Sequence, residues 1–484
     1  MSLEWIEVRG DRLVASSGEV VTLAGVGLGG WLNMENFITG YPGTESQQRK
    51  ALRRALGEEG CRRYFDRFLT DFFDAADARH LASLGLNSVR IPFNYRHFED
   101  DDRPFAHKAE GFAWLDRAIG LCADAGLYAI LDLHAVPGFQ NQNWHSDNPT
   151  HWASFWTHRH FQDRVVHLWE ALADRYRDNP TVAGYNPVNE PADPSGEVIG
   201  PFYARLERAI RAVDPRHVLF LDGNRYSTDF SAFTEPFANT VYTAHDYALP
   251  GMAAGSEYPG MARGEYFDRQ VVEETFLRRT EFMRRTGTPI WIGEFGPVYT
   301  GDPAVDQSRL RLLRDQLDIY RAHGASWALW TSKDIGLQGL VYADPQSPYL
   351  RRIAPVLEKK ARLGVDSWGG VDTGIRDVLG PIEELFAREF PDFQPYPWGR
   401  RAWVNLLVRH ILLAEPMVGD FERCFAGVTP DEAAELAGSF AFDRCVVRTP
   451  LADALRDHLA ARSRLGLERG PGSEGRGRPT TTQG

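Results

Sequence analysis

Phe112-Ala-Trp-Leu-Asp-Arg-Ala-Ile-Gly-Leu-Cys-Ala-Asp-Ala-Gly-Leu-Tyr-Ala-Ile-Leu-Asp-Leu-His134 is the stretch that decides the fold class. Its first part, Phe112–Ala125, is amphipathic with helical spacing. Its second part, Tyr128–His134, contains the near-continuous apolar run Ala129-Ile-Leu-Asp-Leu133. Such a run suits a strand covered on both faces, as in a parallel sheet with helices around it.

The same alternation recurs on either side. Strand-like runs occur at Val21–Val26, Ser88–Pro92, Tyr128–His134, Val182–Asn189, Val218–Asp222, Thr240–Ala244, Ile290–Glu294 and Ser326–Thr331. Amphipathic stretches fall between most of them: Phe72–Leu84, Phe112–Ala125, Phe161–Tyr176, Phe202–Val213, Thr275–Arg285 and Ser308–His323. Alternation of this kind predicts a parallel α/β sheet, and eight repeats predict closure into a (β/α)8 TIM barrel. The fifth unit, Asp222 to Thr240, shows no clear helix and reads as loop. Pro187 cannot donate to a ladder, so a bulge or strand end is expected there.

The predicted domains are a barrel over 1–364, a helical C-terminal appendage over 365–465 and a disordered tail over 466–484. The Gly/Asp/Ser-rich Leu363–Gly374 reads as a linker. Trp403–Ala414 is apolar nearly all round and predicts a buried helix. Thr429-Pro-Asp-Glu432 is a capping-box start, and Thr449-Pro450 opens an amphipathic helix through Ala460. The tail from Gly470 is rich in Gly, Pro, Ser and Thr. The appendage is a candidate homo-oligomer interface, or alternatively a shaper of the barrel's entrance.

The chain has 484 residues, 43% hydrophobic and 25% charged, with a net charge of −12. That composition excludes a largely disordered chain. No basic run supplies a face for phosphate backbones, so nucleic acid is not an expected partner. No stretch of about 18 apolar residues predicts a membrane span. Acidic residues near the start stand where a leader would need an apolar core, so a cytoplasmic location is expected. Cys61, Cys122, Cys424 and Cys445 form no C-x-x-C pair and read as reduced thiols.

In a barrel of this kind functional groups gather at the C-terminal ends of the strands. Here those ends carry Arg90, His134, Asn189-Glu190, His245-Asp-Tyr247, Glu294 and Trp330. Two glutamates therefore end strands four and seven and face one mouth. Facing carboxyls are the machinery of glycoside hydrolysis.

These motifs resemble glycoside hydrolase family 5, a family of (β/α)8 retaining β-glycosidases, over about residues 20–362. The resemblance rests on Arg90 in Val-Arg-Ile-Pro, His134 in Leu-Asp-Leu-His and Asn189-Glu190 in Asn-Glu-Pro. It continues through His245 and Tyr247 in His-Asp-Tyr, Glu294 in Gly-Glu-Phe-Gly, and Trp330. It implies Glu190 as acid/base and Glu294 as nucleophile. It also implies sugar contacts from Asn189 and His134, a flat floor from Trp330, and support of Glu190 by His245. Arg90 and Tyr247 suit an ionised Glu294. A working acid also predicts burial or nearby negative charge that raises Glu190.

A second set resembles the exo-β-1,3-glucanase-like members. Trp31 and Glu35 stand in Gly25-Val-Gly-Leu-Gly-Gly-Trp-Leu-Asn-Met-Glu35, where Glu35 would hold the non-reducing-end sugar. Asn141 ends His134-Ala-Val-Pro-Gly-Phe-Gln-Asn141, and Trp144, Trp152 and Trp156 are candidate subsite walls. The expected activity is hydrolysis of β-glucosides or short β-glucan oligosaccharides from one end. The alternative in the same class is a β-mannosidase. The alternative from another class is a barrel that binds carbohydrate without cutting it. No cofactor or metal is expected. His151, His158 and His160 form a loose cluster that lacks a completing ligand. Gly27-Leu-Gly-Gly30 lacks the spacing of a phosphate loop.

Overall fold

The computed structural model describes residues 3–255, 257–365 and 372–468. Eight parallel strands close into a barrel. They are β1 (Ala24–Gly27), β2 (Ser88–Asn94), β3 (Tyr128–Ala135), β4 (Val182–Asn186), β5 (Val218–Asp222), β6 (Thr240–His245), β7 (Ile290–Phe295) and β8 (Ser326–Leu329). All eight predicted runs are barrel strands. β4 stops at Asn186, just before Pro187, whose carbonyl accepts from Trp169 Nε1 at 3.0 Å.

The two-residue period of a strand sorts its side chains. In β3, Ala129, Leu131 and Leu133 belong to the large core shared with the surrounding helices. Tyr128 and Ile130 belong to a second apolar cluster, with Ala183, Phe220 and Trp291. The same parity then reaches Asp132 and His134. The alternation thus carries apolar packing at one end of the strand into a polar site at the other.

Ile6–Arg9, Arg12–Ala15 and Val20–Val21 form a small antiparallel sheet. Ile6 and Leu13 pack into the second cluster. A further helix, Glu45–Phe72, kinks at Gly57 and lies between the first two strands. Neither feature is among the predicted elements. The fifth unit carries only the short turn Asn224–Ser227.

The C-terminal helices pack on this outer layer. Pro430–Ala437 and Ala414–Cys424 lie against Glu45–Phe72, and Cys445–Val447 adds a strand to Val341–Ala343. Phe421, Phe425, Leu451 and Leu455 belong to the same core as the barrel helices. Thr429 and Glu432 form the predicted capping box. The predicted buried helix Trp403–Ala414 is corrected. It is the end of Gly399–Leu406 followed by one wide turn, Leu407–Leu412. Leu412 is exposed, and Trp403, Leu406 and Leu407 are half-buried, because this segment sits over the barrel mouth. The last helix runs on to Glu468, so the predicted tail is helical at residues 466–468. Residues 469–484, and residues 366–371 of the predicted linker, lie outside the described residues. Among the described residues no helix is long and apolar enough to cross a membrane. All four cysteines are free.

Candidate active site

A cavity of about 550 Å³ opens at the C-terminal ends of the strands. That volume suits a small ligand. Glu35, His134, Glu190, His245, Tyr247, Glu294 and Trp330 line it. Arg90, Asn189 and Asn141 lie buried just beneath.

Glu294 is aimed by a bulge. β7 pairs Ile292 with Ala244 and Glu294 with His245, so Gly293 is extra. A Cβ at Gly293 would stand 2.5 Å from Thr243 Cγ2 and 3.0 Å from His245 Nε2. Glycine lets His245 lie close over this strand. Arg90 Nη1 donates to Glu294 Oε1 at 2.6 Å, and Tyr247 Oη donates to Oε2 at 2.9 Å. Both oxygens of Glu294 are therefore held.

Arg90 is itself fully buried and shared. It donates to Asn186 Oδ1, to Asn189 Oδ1 at 2.7 Å, and lies 3.1 Å from Asp132 Oδ2. Asp132 accepts from His134 Nδ1 at 2.7 Å. That leaves His134 Nε2 facing Asn189 Nδ2 at 3.2 Å. Burial holds His134 well below its ordinary range, so the ring is neutral and its tautomer is set by Asp132.

Glu190 sits in the left-handed region, with φ 44°. Such strain in a residue other than glycine persists only when its surroundings over-determine it. Its N–H donates to Asp222 Oδ2 at 2.9 Å, and its carbonyl accepts from Asn141 Nδ2 at 3.0 Å. Two histidines bracket its carboxyl. His245 Nδ1 is 2.7 Å from Oε1 and His145 Nε2 is 3.1 Å from Oε2. Burial raises Glu190, but with both rings donating, their hydrogen bonds reverse this and pull it below the usual carboxylate range. The expected upward shift is therefore reversed in this arrangement of ring protons. Burial works against a charged His245, yet Glu294, Glu190 and Asp222 together raise it.

One oxygen of Glu190 and one of Glu294 lie within 4.8 Å of each other, and His245 Nδ1 lies 2.7 Å from Glu190 Oε1 and 3.7 Å from Glu294 Oε2. Trp330 stacks on His134 with ring centroids 5.4 Å apart and planes 8° apart. It lies flat on the start of the first loop. A Cβ at Gly27 or at Gly29 would stand 2.5 Å from its ring. The glycine-rich opening is thus a bed for an indole.

Glu35 also reaches the cavity. Its Oε1 has no hydrogen-bond partner and lies 3.7 Å from His134 Nε2. Burial, then the charges of Glu294 and Glu190, raise it well above the ordinary carboxylate value. The folded site thus favours its protonated form more than the unfolded chain does. Glu35→Gln is therefore expected to stabilise the fold. The sign follows from the raised value, since the folded state keeps a proton that the unfolded chain releases. The gain should be near zero at pH 4 and grow to about 0.5–2 kcal/mol by pH 8. Thermal unfolding across that range measures it, and a gain independent of pH would refute the account.

Two predicted site residues belong elsewhere. Trp31 is fully buried, donates its Nε1 to Leu69 O at 2.9 Å, and packs on Phe73 and Trp114. It is core, because the loop turns its ring outward to the helix Glu45–Phe72. Asn141 does not line the cavity but supports Glu190 and His145. Of the candidate walls only Trp144 lines the cavity. Trp156 is buried against Phe155 and Phe202, and Trp152 is 69% exposed away from the cavity. His158 and His160 are exposed, and His151 packs on Trp403.

Several contributors were not predicted. Asp132, Asn186 and Asp222 lie buried as polar groups beneath the site. Tyr226 and His145 come from the loops after β5 and β3. Trp398, Ala402, Asn405, Leu406, Arg409 and His410 come from the C-terminal helices. Tyr226 lies against His145 and Trp398. Trp144 packs on Phe37 and on His410, at ring distances of 6.3 and 4.3 Å.

A barrel with two adjacent carboxyls at its C-terminal mouth, one clamped by an arginine and a tyrosine, defines a glycoside hydrolase. Residues 60–336 match the cellulase family, glycosyl hydrolase family 5. The chain belongs to that family. It is 45% identical over 473 residues to "Beta-xylosidase" of Phanerodontia chrysosporium, covering 95% of this chain and 99% of the relative. It is 27% identical over 357 residues to "Probable glucan 1,3-beta-glucosidase A" of Neosartorya fischeri, covering 65% of this chain and 83% of the relative. Among solved structures an endogalactoceramidase shares the fold, with a TM-score of 0.51 and 20% identity over 69% of this chain and 75% of the other.

Proposed function

We propose that the protein is a retaining β-glycosidase that removes one sugar from the end of a β-glycoside. The carrying observation is the carboxylate separation. One oxygen of each carboxyl lies within 4.8 Å of the other, which favours the close spacing of about 5–5.5 Å between the carboxyls of retaining enzymes. Inverting enzymes need about 6.5–9.5 Å to admit a water. Glu294 attacks the anomeric carbon while Glu190 protonates the leaving oxygen. The glycosyl–Glu294 ester is then hydrolysed by water that Glu190 deprotonates. Arg90 and Tyr247 hold Glu294 as the anion and aim it. Asn189 and the neutral His134 stand ready for the hydroxyls of the bound sugar.

An end-acting mode is supported by the wall beside Glu35. Phe37, Trp144 and His410 close on one another there, which narrows the cavity next to Glu35. Leu249, Trp398, Ala402 and Leu406 add apolar lining to the cavity. This supports small aryl or alkyl glycosides over polymers.

Glucose is the preferred sugar. Xylose is the second reading, favoured by the relative named a β-xylosidase that matches nearly the whole chain. A panel of aryl β-glucoside, xyloside, mannoside, galactoside and cellobioside tests both. The first-formed product is followed by proton NMR. Release of one β-configured monosaccharide is expected. A first-formed α-anomer would overturn retention, and turnover of the cellobioside alone would overturn the end-acting mode.

Trp398 supplies the test of this apolar lining. Trp398→Ala should lower kcat/KM on a naphthyl glycoside about 10-fold, the scale of one aromatic contact. A glycosyl fluoride, which has almost no leaving group to grip, should be turned over unchanged. Equal loss on both substrates would sink this role.

A further inference from the structure

His145 is the second histidine on Glu190, and its protonation can be read from its neighbours. Asn141 Oδ1 accepts from the Asn143 N–H at 3.0 Å. Asn141 Nδ2 donates to the Glu190 carbonyl at 3.0 Å. A backbone N–H only donates and a backbone carbonyl only accepts, so the amide is fixed at both ends. Its remaining Nδ2 hydrogen points to His145 Nε2, 2.6 Å away. That contact requires a lone pair on Nε2. The His145 ring is then neutral, with its hydrogen on Nδ1.

This decides the contact on the other side. His145 Nε2 is 3.1 Å from Glu190 Oε2. With no hydrogen on Nε2, the two can bond only through a hydrogen on Oε2, which then shares the single ring lone pair with the Asn141 N–H as a three-centre contact. Glu190 Oε1 meanwhile accepts from His245 Nδ1 at 2.7 Å. One oxygen donates and the other accepts, which is the pattern of a carboxylic acid.

We infer that Asn141 and His145 are positioning residues that store the acid proton on Glu190 in the resting enzyme. Asn141 keeps Nε2 bare, and Nε2 holds the proton on Oε2 until the leaving oxygen of the substrate takes its place. The inference rests on the reading of Glu190 as acid/base. Other charges around Glu190 already have partners or distances of their own. His245 and Tyr247 come with β6, and Glu294 with β7. Asp222 on β5 holds the Glu190 N–H. Asp132 and His134 on β3 bond each other, and Arg90 on β2 holds Glu294. Glu35 and Tyr226 also face Glu190 across the cavity.

The test is the pH dependence of kcat/KM for His145→Phe, which keeps the ring's bulk and removes its nitrogen. On a methylumbelliferyl glycoside the alkaline limb should move to lower pH by about one unit, because the acid form of Glu190 loses a hydrogen-bond acceptor. Turnover of a 2,4-dinitrophenyl glycoside, whose leaving group needs no proton, should stay within about 3-fold at the glycosylation step. A limb that moves to higher pH would show that His145 is a cationic donor and would overturn the inference. An unmoved limb would overturn it too. If the variant fails to fold, neutron diffraction of the deuterated wild type decides, with deuterium expected on Glu190 Oε2 and none on His145 Nε2. Glu190→Ala run beside it separates the two readings. If that variant shows no dependence on leaving group, the acid/base assignment itself has failed. If it does and the limb still moves the wrong way, only the role of His145 falls.

Discussion

Glu294→Gln is expected to lower hydrolysis of every aryl glycoside by about 10⁴-fold or more, the scale on which an essential nucleophile acts. The amide is nearly the same size as the carboxylate. Its oxygen can still accept from Arg90, and its NH2 can donate to Tyr247 Oη, at the places where the two carboxylate oxygens now accept at 2.6 and 2.9 Å. What it lacks is the charge and lone-pair basicity needed to attack the anomeric carbon. The loss should therefore appear in kcat with binding of the sugar kept. Isothermal titration with the product sugar measures the second half of that statement. Residual activity above about 1% of wild type, only a 10²-fold loss, would place the nucleophile elsewhere. Removing Glu294 also leaves the Arg90 guanidinium buried with one partner fewer. A glutamine is thus the informative change, and alanine would confound lost chemistry with an uncompensated charge.

Glu190→Ala carries the second large effect, and its signature is selective. Protonation of the leaving oxygen contributes about 10²–10⁴-fold. Alkyl glycosides, whose alkoxide leaves badly, should lose that full amount. Dinitrophenyl glycosides should form the glycosyl–Glu294 ester nearly as fast as wild type, because their leaving group departs as a stable anion. They should then stall, since no base remains to activate water. The expected record is a burst followed by slow turnover. Azide needs no base and fits where the carboxyl was. It should restore turnover and give the β-glycosyl azide. An α-azide would contradict double displacement through Glu294. A loss that is uniform across leaving groups would mean that Glu190 only supports the site.

Much of the site was legible because barrel chemistry sits where strands end. Arg90, His134, Asn189, Glu190, His245, Tyr247, Glu294 and Trp330 are each within a few residues of a strand terminus. A short apolar run is readable by eye, and so are the polar residues that close it. Glu35 was legible by its spacing from a glycine-rich turn, and the structure places it in the cavity. Trp31 in the same motif was not, since a loop can send successive side chains to opposite sides of the chain.

The misses share one physical cause. Helix Glu45–Phe72 is dense in Arg and Glu, and Gly57 interrupts its apolar stripe. Its burial depends on the C-terminal helices Ala414–Cys424 and Pro430–Ala437, which arrive hundreds of residues later. Trp398, Arg409 and His410 join the cavity across a similar distance in the chain. Nothing local marks them as site residues. The segment Trp403–Ala414 looked like core because it is apolar, whereas it contributes Asn405, Leu406, Arg409 and His410 to the lining of the cavity.

From the amino-acid sequence alone came the eight strands, the closed barrel and the pair of glutamates. Those arise from local periodicity, and periodicity is a property of neighbours in the chain. The tertiary structure alone decided the approach of the two carboxyls, the contacts of Trp144 with Phe37 and His410, the residues that the C-terminal helices add to the cavity and the bracketing of Glu190 by two histidines. Each of these depends on distances of a few ångströms between residues far apart in sequence, and such distances exist only once the chain has packed.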